Sequence, residues 1–163
     1  LPEHSKALGA AVEAIHSADM IVLAPGSLYT SIIPNLLVDG IADAIRDSKA
    51  LKLYVCNVMT QEGETEGYTV SDHIQALFSH SYPGLFRLCL TNSTPIPEVI
   101  ALRYAQEGAE PIRHDVEKCR ALGVELIDRP VAALENGLVR HNPGHLAHEL
   151  MTIYEEYKPK DPA

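Results

Sequence analysis

Four short apolar runs punctuate this chain: MIVLA at 20–24, LYVCN at 53–57, LFRLCLT at 85–91 and VELID at 124–128. The stretches between them carry apolar residues at helical spacing, which predicts helices over 39–48, 70–80, 96–107 and 115–122, and a last one over 143–157. Strands alternating with helices constrain the fold strongly. They specify an α/β chain with a mostly parallel sheet and helices packed on its faces. A further helical pattern (Leu8, Val12, Ile15) opens the chain almost at once and without an initiator Met, so the chain reads as the C-terminal part of a longer protein. Its 163 residues suffice for one such domain with a real core. That domain is expected over 1–157, with the tail KPKDPA (158–163) frayed.

Local signals agree with this layout. Thr69 with Asp72 three residues on reads as a capping box, followed by Val70, Ile74, Leu77 and Phe78 on one helical face. Pro97 suits a first helical turn and Gly108 a C-terminal cap; Asp115 and Gly123 bracket a short helix in the same way. Asn142-Pro143 opens the last helix, whose apolar stripe is Leu146, Leu150, Ile153, Tyr154 and Tyr157.

Charge and cysteines narrow the function classes. Twenty-two acids against 13 Lys and Arg give a net charge of −9, a field that argues against nucleic acid or an anionic membrane as the main partner. A small anion can still bind where backbone dipoles dominate locally. Cys56, Cys89 and Cys119 form no CxxC pair, and Cys56 and Cys89 lie inside apolar runs, so they read as small buried hydrophobes in a reducing compartment. No apolar run reaches membrane-spanning length, and no basic region followed by an apolar core marks a signal peptide.

GxGxxG, GxxxxGK[ST], GxSxG and HExxH are all absent from the sequence. Function must instead be sought in the loops that follow the strands, because these gather at the carboxyl edge of a parallel sheet. Three are polar. The first, PGSLYTS from Pro25 to Ser31, offers Gly26 for close backbone approach and the hydroxyls of Ser27, Thr30 and Ser31, either for an anion at the following helix start or as helix caps. The second, from Asn57 to Tyr68, carries Asn57, Thr60, Gln61, Glu64 and Thr65, which suit a base edge or sugar hydroxyls as well as a solvated loop. The third, TNSTPIP, is stiffened by Pro95 and Pro97.

Tyr104 and Arg140 form another candidate pair. A Tyr face can stack on a planar ring and an Arg fork can hold a phosphate; the competing readings are core packing and a surface charge. His141, His145 and His148 lie close in sequence, but a zinc site needs three or four supported ligands, and these read as solvated histidines. No metal site is expected, and no catalytic pair stands out among Glu110, Glu117, Glu125 and Glu135.

The strings ADMIVLAPGSLYTSIIPNLLVDGIADAI, YVCNVMTQEGETEGYTVSDHIQAL and RYAQEGAEP, with VRHNPGHLA near the end, resemble the gluconeogenesis factor family (YvcK-like proteins). That family is related to 2-phospho-L-lactate transferase (CofD-like proteins). The resemblance runs over essentially the whole chain. It implies a Rossmann-like three-layer α/β/α fold in a cytoplasmic bacterial protein that binds UDP-sugars such as UDP-N-acetylglucosamine. Such proteins are tied to gluconeogenic growth, cell shape and cell-wall synthesis without a demonstrated reaction, and cell-wall synthesis proteins and a homo-oligomer are the partners that would fit. The transferase relatives use a divalent metal such as Mg²⁺ to move phospholactate onto a deazaflavin, which is the alternative activity. Family members are longer and begin with a GGGTG-type strand–turn, absent here, that should cradle phosphate, and the resemblance implies that the transferase's metal ligand lies in that same N-terminal half. Matching by motif, the resemblance assigns ligand-binding roles to Gly26, Ser27 and Thr30 in PGSLYTS, to Asn57, Thr60 and Gln61 after the next strand, to Tyr104 in the RYAEEGA-type helix and to Arg140 in the RHDP-type turn. Three departures are visible: LAPGS for GPGS, RHNPG for RHDP and VDGI for VPGI.

Overall fold

The structure, a computed structural model, describes residues 5–158. Seven α-helices and six strands follow in the order α1 (Gly9–Ser17), β1 (Met20–Leu23), α2 (Ile33–Leu36), α3 (Ile41–Asp47), β2 (Leu51–Val55), α4 (Val70–Ser79), β3 (Leu88–Asn92), α5 (Glu98–Gln106), α6 (Val116–Ala121), β4 (Glu125–Arg129), β5 (Ala132–Glu135), β6 (Leu138–His141) and α7 (Pro143–Tyr157). A π-helical turn, Leu28–Ile32, runs directly into α2. Strands β1 to β4 form one parallel sheet in that order, and β5 and β6 form a separate antiparallel hairpin.

Side chains alternate across the parallel strands, so each strand supplies two cores. Tyr54, Cys56 and Cys89 point to one face, where α4 contributes Ile74, Leu77 and Phe78 and α6 contributes Cys119. Leu53, Val55, Leu88, Leu90 and Ile127 point to the other, where α7 lays down Ile153 with Leu146, Leu150 and Tyr157. The result is the three-layer, Rossmann-like arrangement that the strand–helix alternation requires. All three cysteines are free and buried.

Four of the predicted caps form; Pro97 stands just before α5 rather than in its first turn, and the Asp115 carboxylate accepts from Thr69 and Ser71 rather than capping α6. Thr69 and Asp72 make both halves of the capping box on α4. The Asn142 side chain accepts the His145 N–H at 3.0 Å, with Pro143 opening α7. Gly108 and Gly123 adopt φ of 72° and 79° just after their helices, a conformation that costs other residues energy.

Three expectations are corrected. Strand β2 begins two residues early, at Leu51, because Met20 and Ile21 pair with Leu51 and Lys52; the Lys52 ammonium escapes by donating to the carbonyls of Arg46 and Ser48. Strand β3 starts at Leu88 rather than 85; Leu85 and Phe86 are buried but lie ahead of the ladder, after a turn at Gly84 with φ of 75°. The β5–β6 hairpin stands where no strand was predicted. Its turn is Asn136-Gly137, with both residues at positive φ (50° and 77°), the backbone that a two-residue hairpin turn demands. The expected fraying of 158–163 falls, apart from Lys158, outside the described residues.

Candidate functional site

The loops after β1, β2 and β3 meet at the carboxyl edge of the sheet. The first two are tied by a reciprocal amide pair. Asn57 accepts the Gly26 N–H at 3.2 Å and donates to the Gly26 carbonyl at 2.8 Å. Beside it, the Ser27 hydroxyl donates to Gln61 Oε1 at 2.8 Å.

The hydroxyls of the first loop do not cap the helical segment that follows. Ser27 precedes the π-helical turn, yet only its backbone carbonyl takes part, accepting from Ser31 and Ile32 at 2.9 and 3.1 Å. The free N–H groups of the turn are satisfied from the second loop: Glu64 Oε1 accepts from Tyr29 at 2.8 Å and from Thr30 at 3.0 Å. A carboxylate there complements the positive end of the segment. The turn is anchored by the buried Leu28 and Ile32.

The hairpin closes the site from the far side. Tyr104 on α5 accepts the Val139 N–H at 2.9 Å, Asn92 at the end of β3 accepts the Ala132 N–H at 2.9 Å, and Asn142 N–H reaches the Val131 carbonyl at 2.7 Å. These ties hold Arg140 and His141 over the carboxyl edge. Together Gly26, Ser27, Asn57, Gln61 and Arg140 line an open cleft of about 440 Å³, within the size range of small-molecule sites. Among the described residues the Arg140 guanidinium has neither a carboxylate nor a hydrogen-bond partner.

Three sequence-predicted residues stand apart from the cleft lining. Thr30 is exposed, its N–H held by Glu64. Thr60 is buried; its hydroxyl accepts the Glu110 N–H at 2.8 Å and its N–H donates to the Glu110 carbonyl at 2.7 Å, which fixes the loop's path. Tyr104 supports the hairpin from beneath.

His141 was not among the predicted site residues, and its reading as a solvated histidine is corrected. It lines the cleft with Val58 and Met59, while His145 and His148 are exposed on α7. Its Nε2 is buried without a partner among the described residues. Burial pushes its pKa below the ordinary value, offset only in part by the Cys56 backbone. Nothing in the local sequence distinguishes His141 from its neighbours; only the hairpin turns it inward. Among the described residues no group of three or more His, Cys, Asp or Glu side chains is placed to hold a metal ion.

Residues 1–132 match the family model described as 2-phospho-L-lactate transferase CofD, which is most of the chain. The chain belongs to the CofD family. Within it, this CofD-family chain is similar to the gluconeogenesis factor of Halalkalibacterium halodurans, 45% identical over 150 residues, which are 92% of this chain and 47% of that protein. It is 41% identical to the gluconeogenesis factor of Bacillus subtilis over 155 residues, 95% of this chain and 49% of the relative. A crystal structure of a Bacillus halodurans protein superposes with a TM-score of 0.88 at 45% identity, over 92% of this chain and 48% of that one. The chain therefore spans about half the length of the curated relatives it matches. No helix of the described residues is long and apolar enough to cross a membrane.

Proposed function

We propose that this CofD-family chain carries part of the binding site for a nucleoside diphosphate sugar of the UDP-N-acetylglucosamine type. In this reading the protein is a cytoplasmic gluconeogenesis factor that acts by binding rather than turnover and links carbon metabolism to cell shape and cell-wall synthesis. The supporting observation is Arg140, whose guanidinium lines the cleft without a carboxylate partner among the described residues, opposite the Gly26–Ser27 turn. An arginine in that position is available for the diphosphate, to which it can make paired charge-assisted hydrogen bonds. Ser27, Asn57 and Gln61 add hydroxyl and amide groups suited to the neutral parts of such a ligand. The acidic surface does not oppose this, since the contacts are short-range. Titration calorimetry of UDP-N-acetylglucosamine into the full-length protein tests the reading: saturable binding at one site supports it, and absence of binding at millimolar ligand removes it.

The family model favours a second reading, a phospholactate transferase. That activity calls for a divalent metal, whose ligand the family resemblance assigns to a part of the longer relatives that this chain does not span. A product assay with deazaflavin acceptor, activated phospholactate donor and Mg²⁺ separates the two readings.

A further inference from the structure

A second cleft, of about 330 Å³, lies on the same carboxyl edge and adjoins the first: Asn57 and Val58 line both. Its other walls are Asn92 and Thr94 from the third loop, Ile96, and the segment Pro111, Ile112 and His114. His114 is not loose in this wall. Its Nδ1 lies 3.1 Å from Asp128 Oδ1, and the same oxygen accepts the hydroxyl of the buried Thr91, which is the cross-strand partner of Asp128 in the β3–β4 ladder. A carboxylate on Nδ1 fixes the ring's orientation and favours the tautomer with the proton on Nδ1, which leaves Nε2 as the acceptor.

The chemistry of this cleft differs from that of the first. Asp128, whose side chain is 49% exposed, sets a negative charge beside the space, which disfavours a phosphate. Asn92 is consumed by the backbone: its amide donates to Thr94 and its oxygen accepts from Thr94 and Ala132. The lining holds no Phe, Tyr or Trp, and its one aromatic ring, His114, is tied edge-on to Asp128 through Nδ1, while Ile96, Pro111 and Ile112 give an aliphatic floor. A saturated ring that carries hydroxyl donors on one side and C–H groups on the other matches this combination.

We infer that the second cleft is the sugar subsite of a nucleoside diphosphate sugar whose diphosphate lies at Arg140, and that His114, oriented by Asp128, accepts a hydrogen bond from a ring hydroxyl. This rests on the nucleoside diphosphate sugar reading above. His114 is a specificity residue in this account: it separates the sugar-bearing ligand from the bare nucleotide.

The test is a calorimetric comparison of UDP and UDP-N-acetylglucosamine on the full-length wild type, His114→Ala and His114→Gln. The wild type binds UDP-N-acetylglucosamine more tightly than UDP. His114→Ala weakens UDP-N-acetylglucosamine by about tenfold, the scale of one hydrogen bond left unmade in a desolvated site, and shifts UDP by less than about twofold. His114→Gln, which keeps an acceptor, stays within about threefold of wild type for both ligands. An unchanged affinity of His114→Ala for the sugar nucleotide overturns the inference, as does an equal loss for both ligands, or a Gln variant as weak as the Ala variant. A wild type that binds UDP but gains nothing from the sugar overturns the subsite while leaving the nucleotide reading intact; a wild type that binds neither ligand overturns both.

Discussion

Asn57 and Gly26 are locked by two antiparallel hydrogen bonds, 3.2 Å from the Gly26 N–H to Asn57 Oδ1 and 2.8 Å from Asn57 Nδ2 to the Gly26 carbonyl. A side-chain amide here imitates one rung of a β-ladder and extends the β1–β2 pairing beyond Leu23 and Val55. The first loop is thereby pinned to the second at the mouth of the cleft.

Asn57→Asp keeps the shape of the side chain and inverts half of that pair, setting a carboxylate against the Gly26 carbonyl. We expect a loss of about 2 kcal/mol of folding stability, the cost of unmatched polar groups in a partly buried site. Denaturant unfolding measures it. A change under about 0.5 kcal/mol contradicts the role given to the pair.

Glu64 ties the second loop to the π-helical turn through the Tyr29 and Thr30 N–H groups. Glu64→Ala removes two charge-assisted bonds and costs about 2 kcal/mol, whereas Glu64→Gln, which still accepts from both, costs less than half of that. Equal losses for the two variants, compared by thermal or denaturant unfolding, contradict the capping role.

Two imidazoles, the buried His73 and the half-buried His141, give the fold an acid sensitivity above the carboxylate range. Burial lowers the pKa of His73 below its ordinary 6.5, with partial compensation from the Thr69 backbone, Asp72 and Glu64; burial likewise lowers that of His141. The folded state therefore holds these rings neutral, while the unfolded chain takes up protons near pH 6.5. Stability from this source is complete above that pH and falls as the pH drops through and below it. Urea unfolding at about pH 7.5 and pH 5.5 checks the sign, with a shallower dependence in His73→Gln. A fold more stable at the lower pH contradicts it.

Tyr104 acts on the hairpin through its hydroxyl, which accepts the Val139 N–H. Tyr104→Phe should lower UDP-N-acetylglucosamine affinity by less than Arg140→Ala does, because it loosens the support of the arginine without removing the charge. A larger loss in Tyr104→Phe than in Arg140→Ala, read by calorimetry, would place the Tyr hydroxyl on the ligand itself.

Much of the fold was legible because a sheet buried on both faces needs strands that are apolar at every position, and runs such as MIVLA and LYVCN have no other use in a chain this short. The caps at Thr69, Asn142, Gly108 and Gly123 were legible for an equally local reason. The hairpin was not, because β5 and β6 are four residues each and half exposed, so their alternation is weak; the Asn136-Gly137 dipeptide was its one clear signal. For the candidate site, Gly26, Ser27, Asn57, Gln61 and Arg140 were picked out as residues, and the structure gathers them at one cleft. What sequence could not convey was long-range pairing. Glu64 reaches back over 35 residues to Tyr29, and His114 meets Asp128 through the β3–β4 register.

The most direct test of the account is the affinity of the full-length protein for UDP-N-acetylglucosamine with and without the Arg140 guanidinium. Arg140→Ala is expected to weaken binding by more than about 1 kcal/mol, the order of one lost charge-assisted bond, with folding stability changed by less than about 0.5 kcal/mol, as suits an exposed side chain. An affinity unchanged from wild type in the same titration would contradict the placement of the diphosphate at this cleft.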